Sequence, residues 1–133
     1  MSVKSICGVI LISERPEALA AFYGQGLGLE FEREAHGLEV HFGVDIGEVH
    51  FGIHPPGNFG RGSVGQSSVT VAFNVDALEG TIERLVELGA KQTSPPHDEG
   101  FGMVAGFEDP DGNAFEVVEL NYDFGGESDN AAQ

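Results

Sequence analysis

The chain has 133 residues, is 41% apolar and carries a formal net charge of −16. This length and composition are typical of one soluble globular domain. The charge argues against a nucleic-acid or anionic membrane partner and permits a cationic ligand. The one cysteine, Cys7, excludes an intrachain disulfide and a zinc site of several cysteines, and no apolar run is long enough to cross a bilayer. We therefore expect a cytoplasmic protein with a reduced Cys7.

The first part of the chain predicts one strand, one helix and three further strands. An apolar strand, residues 6–12, precedes SERPEALAAFYGQGLGL, which has the pattern of a helix with Ser13 as its cap and Gly24 or Gly26 at its end. Three strands follow, LEFERE, GLEVHFG and EVHFGIH, and VDIG joins the last two as a four-residue hairpin loop. Strand alternation places Cys7 on the helix-covered side, as a small buried residue.

The second part of the chain has the same order of elements. The strand SVTVAFNV precedes an amphipathic helix, DALEGTIERLVELGA, with Asp76 as its expected cap and Gly89 at its end. The apolar positions of this helix, which should face the sheet, are Leu78, Ile82, Leu85 and Val86. KQTSP, GMVAGFE and NAFEVVEL are predicted as strands, and His97 falls in the loop between the first two.

Matching glycines indicate an internal duplication. The glycines that end the two helices, Gly28 and Gly89, are 61 residues apart (89 − 28 = 61). The hairpin glycines, Gly47 and Gly112, are 65 residues apart (112 − 47 = 65). A near-constant offset between matching elements is typical of a repeat, and each repeat is a βαβββ unit of an α+β fold.

The repeats define the expected domain organisation. Residues 1–121 form one domain, with the two repeats at about residues 5–54 and 67–121. The Pro/Gly-rich residues 55–66 link the repeats, and residues 122–133 form a flexible acidic tail.

Strand alternation predicts which side chains face away from the helices. In EVHFGIH, the apolar side chains of Val49, Phe51 and Ile53 share the face that the helix should cover. The polar side chains then lie on the other face, where a ligand pocket would form; they are Glu48, His50 and His54.

Glu116 is the most informative position by the same argument. It interrupts the apolar run AFEVVEL, and its neighbours Phe115 and Val117 should lie under the helix. A buried carboxylate is costly unless it is paired, hydrogen-bonded or bound to a metal. Glu116 therefore faces a ligand pocket, or it bonds backbone N–H groups or an arginine of the sheet in a structural role.

The VDIG loop also predicts a pair of histidines. With residues 44–47 as the loop, His41 lies directly opposite His50, with Cβ atoms about 4.5–5.5 Å apart. The two imidazoles and Glu116 would make a set of two histidines and one carboxylate, which is typical of non-haem iron sites. A histidine pair without any ligand is the alternative.

The motif DPDGNAFEVVEL resembles the vicinal oxygen chelate superfamily of glyoxalases, bleomycin-resistance proteins and extradiol dioxygenases. Phe22-Tyr23, GLGLEF and VAFNVDALEGTIERLVELGA are further family-like features. The resemblance implies two βαβββ modules that form a cup-shaped mixed sheet with the helices outside. It also implies a divalent metal in the cup, held at four positions that fall on Gly8, His50, Thr70 and Glu116. Gly8 and Thr70 are not suited to bind it, so His50 and Glu116 remain, with His41 as a third candidate ligand.

The resemblance implies a small-molecule-binding protein and leaves its activity open. One hypothesis is metal-assisted lyase, isomerase or dioxygenase chemistry, with His50 and Glu116 as metal ligands. A second is metal-free sequestration of a small molecule such as an antibiotic, as in bleomycin-resistance proteins. A third is a structural or regulatory module that has lost its ligand. Relatives pair or swap such modules between chains, so we expect a homodimer. The ligand pocket would be lined by His41, Glu48, His50, His54, Thr70 and Glu116.

Overall fold

The structure is a computed structural model that describes residues 5–36, 39–56 and 69–122. The chain divides into two compact units, Met1–Gly65 and Gln66–Gln133, called unit 1 and unit 2 below. The predicted linker from residue 57 onward and the predicted tail from residue 123 onward lie outside the described residues. Neither helix in the described ranges has the length and apolar character needed to cross a membrane.

Unit 1 is a four-stranded mixed sheet with one helix. Its elements are β1 (Gly8–Ile12), α1 (Pro16–Leu27), β2 (Glu32–His36), β3 (Glu39–Ile46) and β4 (Val49–His54). The strand order is β1-β4-β3-β2. The first strand runs parallel to the last, and the other neighbouring strands are antiparallel.

Unit 2 has the same architecture. Its elements are β5 (Val71–Asn74), α2 (Leu78–Glu87), β6 (Lys91–Asp98), β7 (Gly102–Glu108) and β8 (Ala114–Leu120). The strand order is β5-β8-β7-β6, with β5 parallel to β8 and the other neighbours antiparallel.

The two units repeat one βαβββ plan, which confirms the predicted α+β fold. The hairpin glycines Gly47 and Gly112 have φ angles of 60° and 90°. The helix-ending glycines Gly28 and Gly89 have φ angles of 72° and 103°. Residues with a Cβ atom rarely adopt such conformations, so equivalent glycines hold equivalent turns in the two units.

The helices begin differently from the prediction. Their N-cap residues are Arg15 and Ala77, and neither makes a side-chain cap hydrogen bond, so Ser13 and Asp76 are not N-caps. The Glu119 carboxylate of β8 instead accepts a hydrogen bond from the N–H of Leu78 at 2.9 Å, where it also interacts favourably with the positive end of the α2 dipole. At the other end of α1, the helix continues through Gly24 and Gly26 and stops before the left-handed glycine that follows Leu27.

The core of each unit lies between its helix and one face of its sheet. In unit 1, Tyr23 of α1 packs edge-on against Phe51 of β4, with ring centroids 5.3 Å apart. In unit 2, Phe107 and Phe115 stack with centroids 5.5 Å apart, and Leu85 of α2 is fully buried. Aromatic side chains therefore form part of the core of both units.

Two predicted core positions are wrong. Val86 of α2 is 48% exposed. The helix buries Thr81 instead, whose hydroxyl donates to the Ala77 carbonyl at 2.8 Å, so the buried polar atom is satisfied. Cys7 is exposed, because the first strand begins only at Gly8 and leaves the cysteine in the preceding segment.

The hairpin between β3 and β4 is tighter than predicted. Its turn contains only Gly47 and Glu48 instead of the four residues VDIG. His50 consequently pairs with Asp45, and the predicted His41–His50 pair is wrong. The positive φ of Gly47 suits a two-residue turn, whose twist matches that of the strands it joins.

Candidate functional site

The face of the unit 1 sheet that α1 does not cover, its helix-free face, carries a cluster of imidazoles and carboxylates. Phe51 and Ile53 of β4 are buried on the helix side, so the alternating positions His50 and His54 lie on the helix-free side. The cluster is completed from neighbouring strands; its members are Glu34, His41, Asp45, His50 and His54.

His50 is held over a glycine by a carboxylate. Its Nδ1 lies 2.8 Å from Oδ1 of Asp45. Its Cε1 and Nε2 atoms lie 2.6 Å from the point that a Cβ atom of Gly43 would occupy, so only glycine leaves space for this ring position. Because a carboxylate only accepts hydrogen bonds, the neutral ring carries its proton on Nδ1 and leaves the Nε2 lone pair unprotonated.

His41 and His54 form the buried part of the cluster. Nε2 of His41 donates to Oε1 of Glu34 at 2.7 Å. The His41 and His54 rings stack with centroids 4.1 Å apart and an interplanar angle of 9°, and both residues are almost fully buried. The structure therefore brings His41 beside His54 and not beside His50, while Glu48 is exposed in the β3–β4 turn.

Glu116 lies on the helix-free face of unit 2. Glu119, three positions further along β8, bonds the first N–H of α2 and so marks the helix side, which Phe115 and Val117 share. Glu116 is half-buried, and its carboxylate makes no hydrogen bond or ion pair with any residue that the structure describes. Its oxygens are not buried, so they remain accessible to a ligand.

The neighbours of Glu116 on the adjacent strands are small. Ala72 on β5 and Gly106 on β7 pair with it from either side. A Cβ atom at Gly106 would lie 2.8 Å from the Thr93 hydroxyl and 3.0 Å from the Ser94 hydroxyl, so these two hydroxyls pack over the glycine beside Glu116. Ser94 Oγ also accepts the N–H of Gly106 at 2.9 Å.

Thr70, the other position predicted to lie in the pocket, is exposed just before β5. Alternation along the chain puts it on the same side of the sheet as Ala72, the register partner of Glu116. Thr70 is therefore two residues before the register partner of Glu116, on the same side of the sheet.

His97 lies in β6 and not in the predicted loop, and its two ring nitrogens both face acceptors. Nδ1 is 2.9 Å from the Pro95 carbonyl, and Nε2 is 2.7 Å from the Glu99 carboxylate. Neither partner donates, so both bonds form only when the ring is doubly protonated. The Pro95 hydrogen bond, followed by the Glu99 hydrogen bond and charge and the Glu116 charge, raises the pKa of His97 above 6.5.

The metal centre that the resemblance implies does not fit these side chains. Gly8 is the register partner of His50, and Ala72 is that of Glu116, so neither candidate ligand has a donor beside it on the parallel strand. Across residues 5–36, 39–56 and 69–122, no three His, Cys, Asp or Glu side chains are grouped so that they could hold one metal ion. Two protein ligands alone hold a metal weakly.

Sequence reasoning missed several polar residues of these faces. Glu34, Asp45, Thr93 and Ser94 were not among the predicted site residues. Glu34 and Asp45 contact the predicted positions His41 and His50, and Thr93 and Ser94 lie close to Gly106, the register partner of Glu116. One signal was present for Asp45: a two-residue turn at Gly47-Glu48 places it opposite His50 directly.

Comparison with known proteins places this architecture in one family. The model of the Glyoxalase/Bleomycin resistance protein/Dioxygenase superfamily matches residues 6–117. A glyoxalase-related enzyme from Fulvimarina pelagi is similar with a TM-score of 0.72 and 22% identity, over 88% of each chain.

Two further solved structures are similar in fold. One is a glyoxalase/bleomycin resistance protein/dioxygenase family enzyme from Burkholderia phytofirmans PsJN, with a TM-score of 0.68 and 20% identity over 86% of this chain and 97% of that one. The other is TnmS3, an antibiotic binding protein from Streptomyces sp. CB03234, with a TM-score of 0.64 and 18% identity over 91% of this chain and 99% of that one. No curated protein matches the sequence. With its family model covering most of its length, the chain belongs to the Glyoxalase/Bleomycin resistance protein/Dioxygenase superfamily.

Proposed function

We propose that the protein binds a small organic cation with an apolar body, without a metal ion, on the helix-free face of unit 2. The observation that carries this proposal is Glu116, a half-buried carboxylate that no described residue pairs. A carboxylate without a partner in the described part of the chain can form a charge-assisted ion pair with a bound cation.

The charges around Glu116 favour a cation over an anion. His97 is the cation whose charge acts on Glu116, and its Nε2 already lies 2.7 Å from the Glu99 carboxylate. That pair has no net charge when His97 is protonated, so Glu116 keeps this face negative. The formal charge of −16 raises the local concentration of cationic ligands further.

The surroundings of Glu116 favour an apolar body next to the positive group. Ala72 and Gly106 on the neighbouring strands and Val118 further along β8 present little polarity on this face. The Thr93 and Ser94 hydroxyls, which lie close to Gly106, add polar groups beside these residues. Mostly apolar surroundings with a few placed polar groups are typical of small-molecule sites.

The family accommodates such a role. TnmS3 is described as an antibiotic binding protein, while the similar proteins from Fulvimarina pelagi and Burkholderia phytofirmans are described as enzymes. The poor fit of the described side chains to a three-ligand metal site supports binding over metal-assisted chemistry.

Benzyltrimethylammonium, an aromatic cation without N–H donors, is a direct probe of this site. We expect it to shift the amide resonances of Gly106 and Glu116 in titrations followed by NMR. Glu116→Gln should weaken its binding about fivefold, which corresponds to about 1 kcal/mol. Glu83→Gln, the same charge change at an exposed position of α2, is the matched control and should leave binding unchanged.

Two outcomes would contradict the proposal. Equal binding by wild type and Glu116→Gln would remove Glu116 from the site. One metal ion per chain, found by elemental analysis after growth in metal-replete medium and lost in Glu116→Gln, would instead support the metal-assisted hypothesis.

A further inference from the structure

We infer that unit 1 has a second binding subsite, at Nε2 of His50, that selects ligands carrying hydrogen-bond donors such as a primary ammonium or an amidinium. The inference rests on the His50, Asp45 and Gly43 geometry and is independent of the cation site proposed in unit 2. Asp45 and Gly43 act as positioning residues, and His50 contacts the ligand.

Asp45 sets the tautomer of His50, and this tautomer makes the subsite a hydrogen-bond acceptor. Its carboxylate lies 2.8 Å from Nδ1 of His50 and can only accept, so the neutral ring places its proton there. Nε2 then presents a lone pair, and a ligand must supply the proton of any hydrogen bond to it. An unpaired ring would populate both tautomers and would not discriminate between donors and acceptors.

The lone pair at Nε2 is available. His50 is half-exposed, and Nε2 makes no hydrogen bond with any residue in the described ranges. It is also not among the fully buried side-chain nitrogens without a hydrogen-bond partner in that part of the chain. The lone pair is therefore left for a hydrogen bond with a ligand or with water.

Glu34 provides a second acceptor near the same point. Nε2 of His50 lies 2.6 Å, and Oε1 of Glu34 lies 3.7 Å, from the point that a Cβ atom of Gly43 would occupy, so both acceptors lie close to the same backbone position. Two acceptors this close together suit a group with two or more N–H bonds. A primary ammonium or an amidinium meets this requirement, and a quaternary ammonium does not.

Two cationic probes of equal charge test the inference. Benzylammonium has three N–H donors, and benzyltrimethylammonium has none. The dissociation constants are measured by NMR from the amide shifts of Gly43 and Gly52, which report on unit 1, while Gly106 reports on unit 2. We expect the unit 1 signals to favour benzylammonium about fivefold, the effect of one net hydrogen bond.

The variant His50→Phe keeps a flat ring and removes the lone pair. It should abolish the preference at Gly43 and Gly52, and comparing the ratio of the two probes between wild type and variant cancels their difference in size. A preference that survives in His50→Phe, or its absence from wild type, would overturn the inference. Loss of the Gly106 shifts alone would contradict the unit 2 proposal and leave this one standing.

The tautomer is measured without any ligand. Long-range ¹H–¹⁵N spectra at alkaline pH, where the ring is neutral, should show the His50 proton on Nδ1. Asp45→Ala should move the population toward Nε2–H, while Asp76→Ala, an exposed aspartate in the other unit, should not. A wild-type ring protonated mainly on Nε2 would overturn the inference.

Discussion

Unit 1 and unit 2 share one backbone plan and use their helix-free faces in different ways. Unit 1 fills this face with imidazoles bonded to carboxylates, as in the His41–Glu34 and His50–Asp45 pairs. Unit 2 leaves one carboxylate, Glu116, among small and apolar neighbours. The comparison teaches that duplication preserved the turns and the strand pairing of this fold, while the side chains on the helix-free faces diverged.

The parallel strand pairs show this divergence at equivalent places. In unit 1 the pair of β1 and β4 sets Gly8 beside His50, and in unit 2 the pair of β5 and β8 sets Ala72 beside Glu116. Each unit thus keeps one ionisable side chain next to a residue that cannot coordinate a metal. At these two places the neighbouring parallel strand therefore supplies no second metal ligand.

Glycines on the two sheets differ in the atoms that a Cβ atom would meet, which are backbone atoms at Gly102 of unit 2 and ring atoms of His50 at Gly43 of unit 1. The contact with the backbone predicts the largest effect on stability. A Cβ atom at Gly102 of β7 would lie 2.5 Å from the Glu119 carbonyl oxygen and 3.0 Å from the Leu120 Cα, both backbone atoms. Backbone in a paired strand cannot move aside easily, so Gly102→Ala should lower the free energy of unfolding by about 2 kcal/mol or more. Urea unfolding followed by circular dichroism measures the change.

Gly80 is the matched control in the same unit. It lies within α2, and a Cβ atom there would meet nothing within 4 Å. Gly80→Ala should stabilise the protein by about 0.5–1 kcal/mol, because alanine loses less conformational entropy in a helix. Equal destabilisation by both substitutions would show that β7 and β8 are not this close at Gly102.

Gly43→Ala in unit 1 should have a smaller effect on stability and a large one on the position of His50. The new Cβ atom would collide with ring atoms at 2.6 Å, but the half-exposed ring can rotate away. We expect a loss of about 1 kcal/mol or less in the free energy of unfolding and the loss of the Asp45 hydrogen bond. The ring proton shifts of His50 report the displacement.

Gly8→Ala, on the strand that flanks β4 on its other side, is the matched control without a collision. Its Cβ atom would lie 3.7 Å from the His50 carbonyl oxygen, which is an ordinary contact. The His50 ring shifts should therefore remain those of wild type. If Gly43→Ala also left the His50 ring shifts unchanged, the ring would not lie over Gly43. The proposed contrast between a side-chain contact in unit 1 and a backbone contact in unit 2 would then be wrong.

The sequence predicted the repeat and the faces of the strands better than the contacts between strands. The pattern of Phe51 and Ile53 set the helix side of β4, because alternation depends only on neighbouring residues. The partner of His41 depended on the length of the hairpin turn, and it shifted from His50 to His54, four residues along β4 (54 − 50 = 4). An even shift keeps every side chain on its face and changes all its neighbours, so the faces could be right while the pair was wrong.

Some contacts in unit 2 had no local signal in the sequence. Glu119 bonds the N–H of Leu78, which is 41 residues away, and only the folded sheet brings them together. The hydrogen bond between the His97 ring and Glu99 likewise depends on the conformation of the segment between β6 and β7, which brings the Glu99 carboxylate close to the ring. Such contacts follow from tertiary structure and not from the periodicity of either segment.

His97 gives the smallest expected effect and the clearest dependence on pH. Its pKa is raised above 6.5, first by the Pro95 carbonyl, then by the Glu99 hydrogen bond and charge, and last by the charge of Glu116. A group with a raised folded-state pKa stabilises the protein fully below its unfolded-state value, and this contribution is lost as the pH rises through the folded-state pKa. The free energy of unfolding should therefore fall as the pH rises above 6.5. The decrease should be small, because His97 is exposed to solvent. NMR titration of the His97 ring should show that Glu99→Gln lowers its pKa more than Glu116→Gln does. The reverse order would mean that Glu116 is the closer partner of His97, and then Glu116 would no longer be the unpaired carboxylate that distinguishes unit 2 from unit 1.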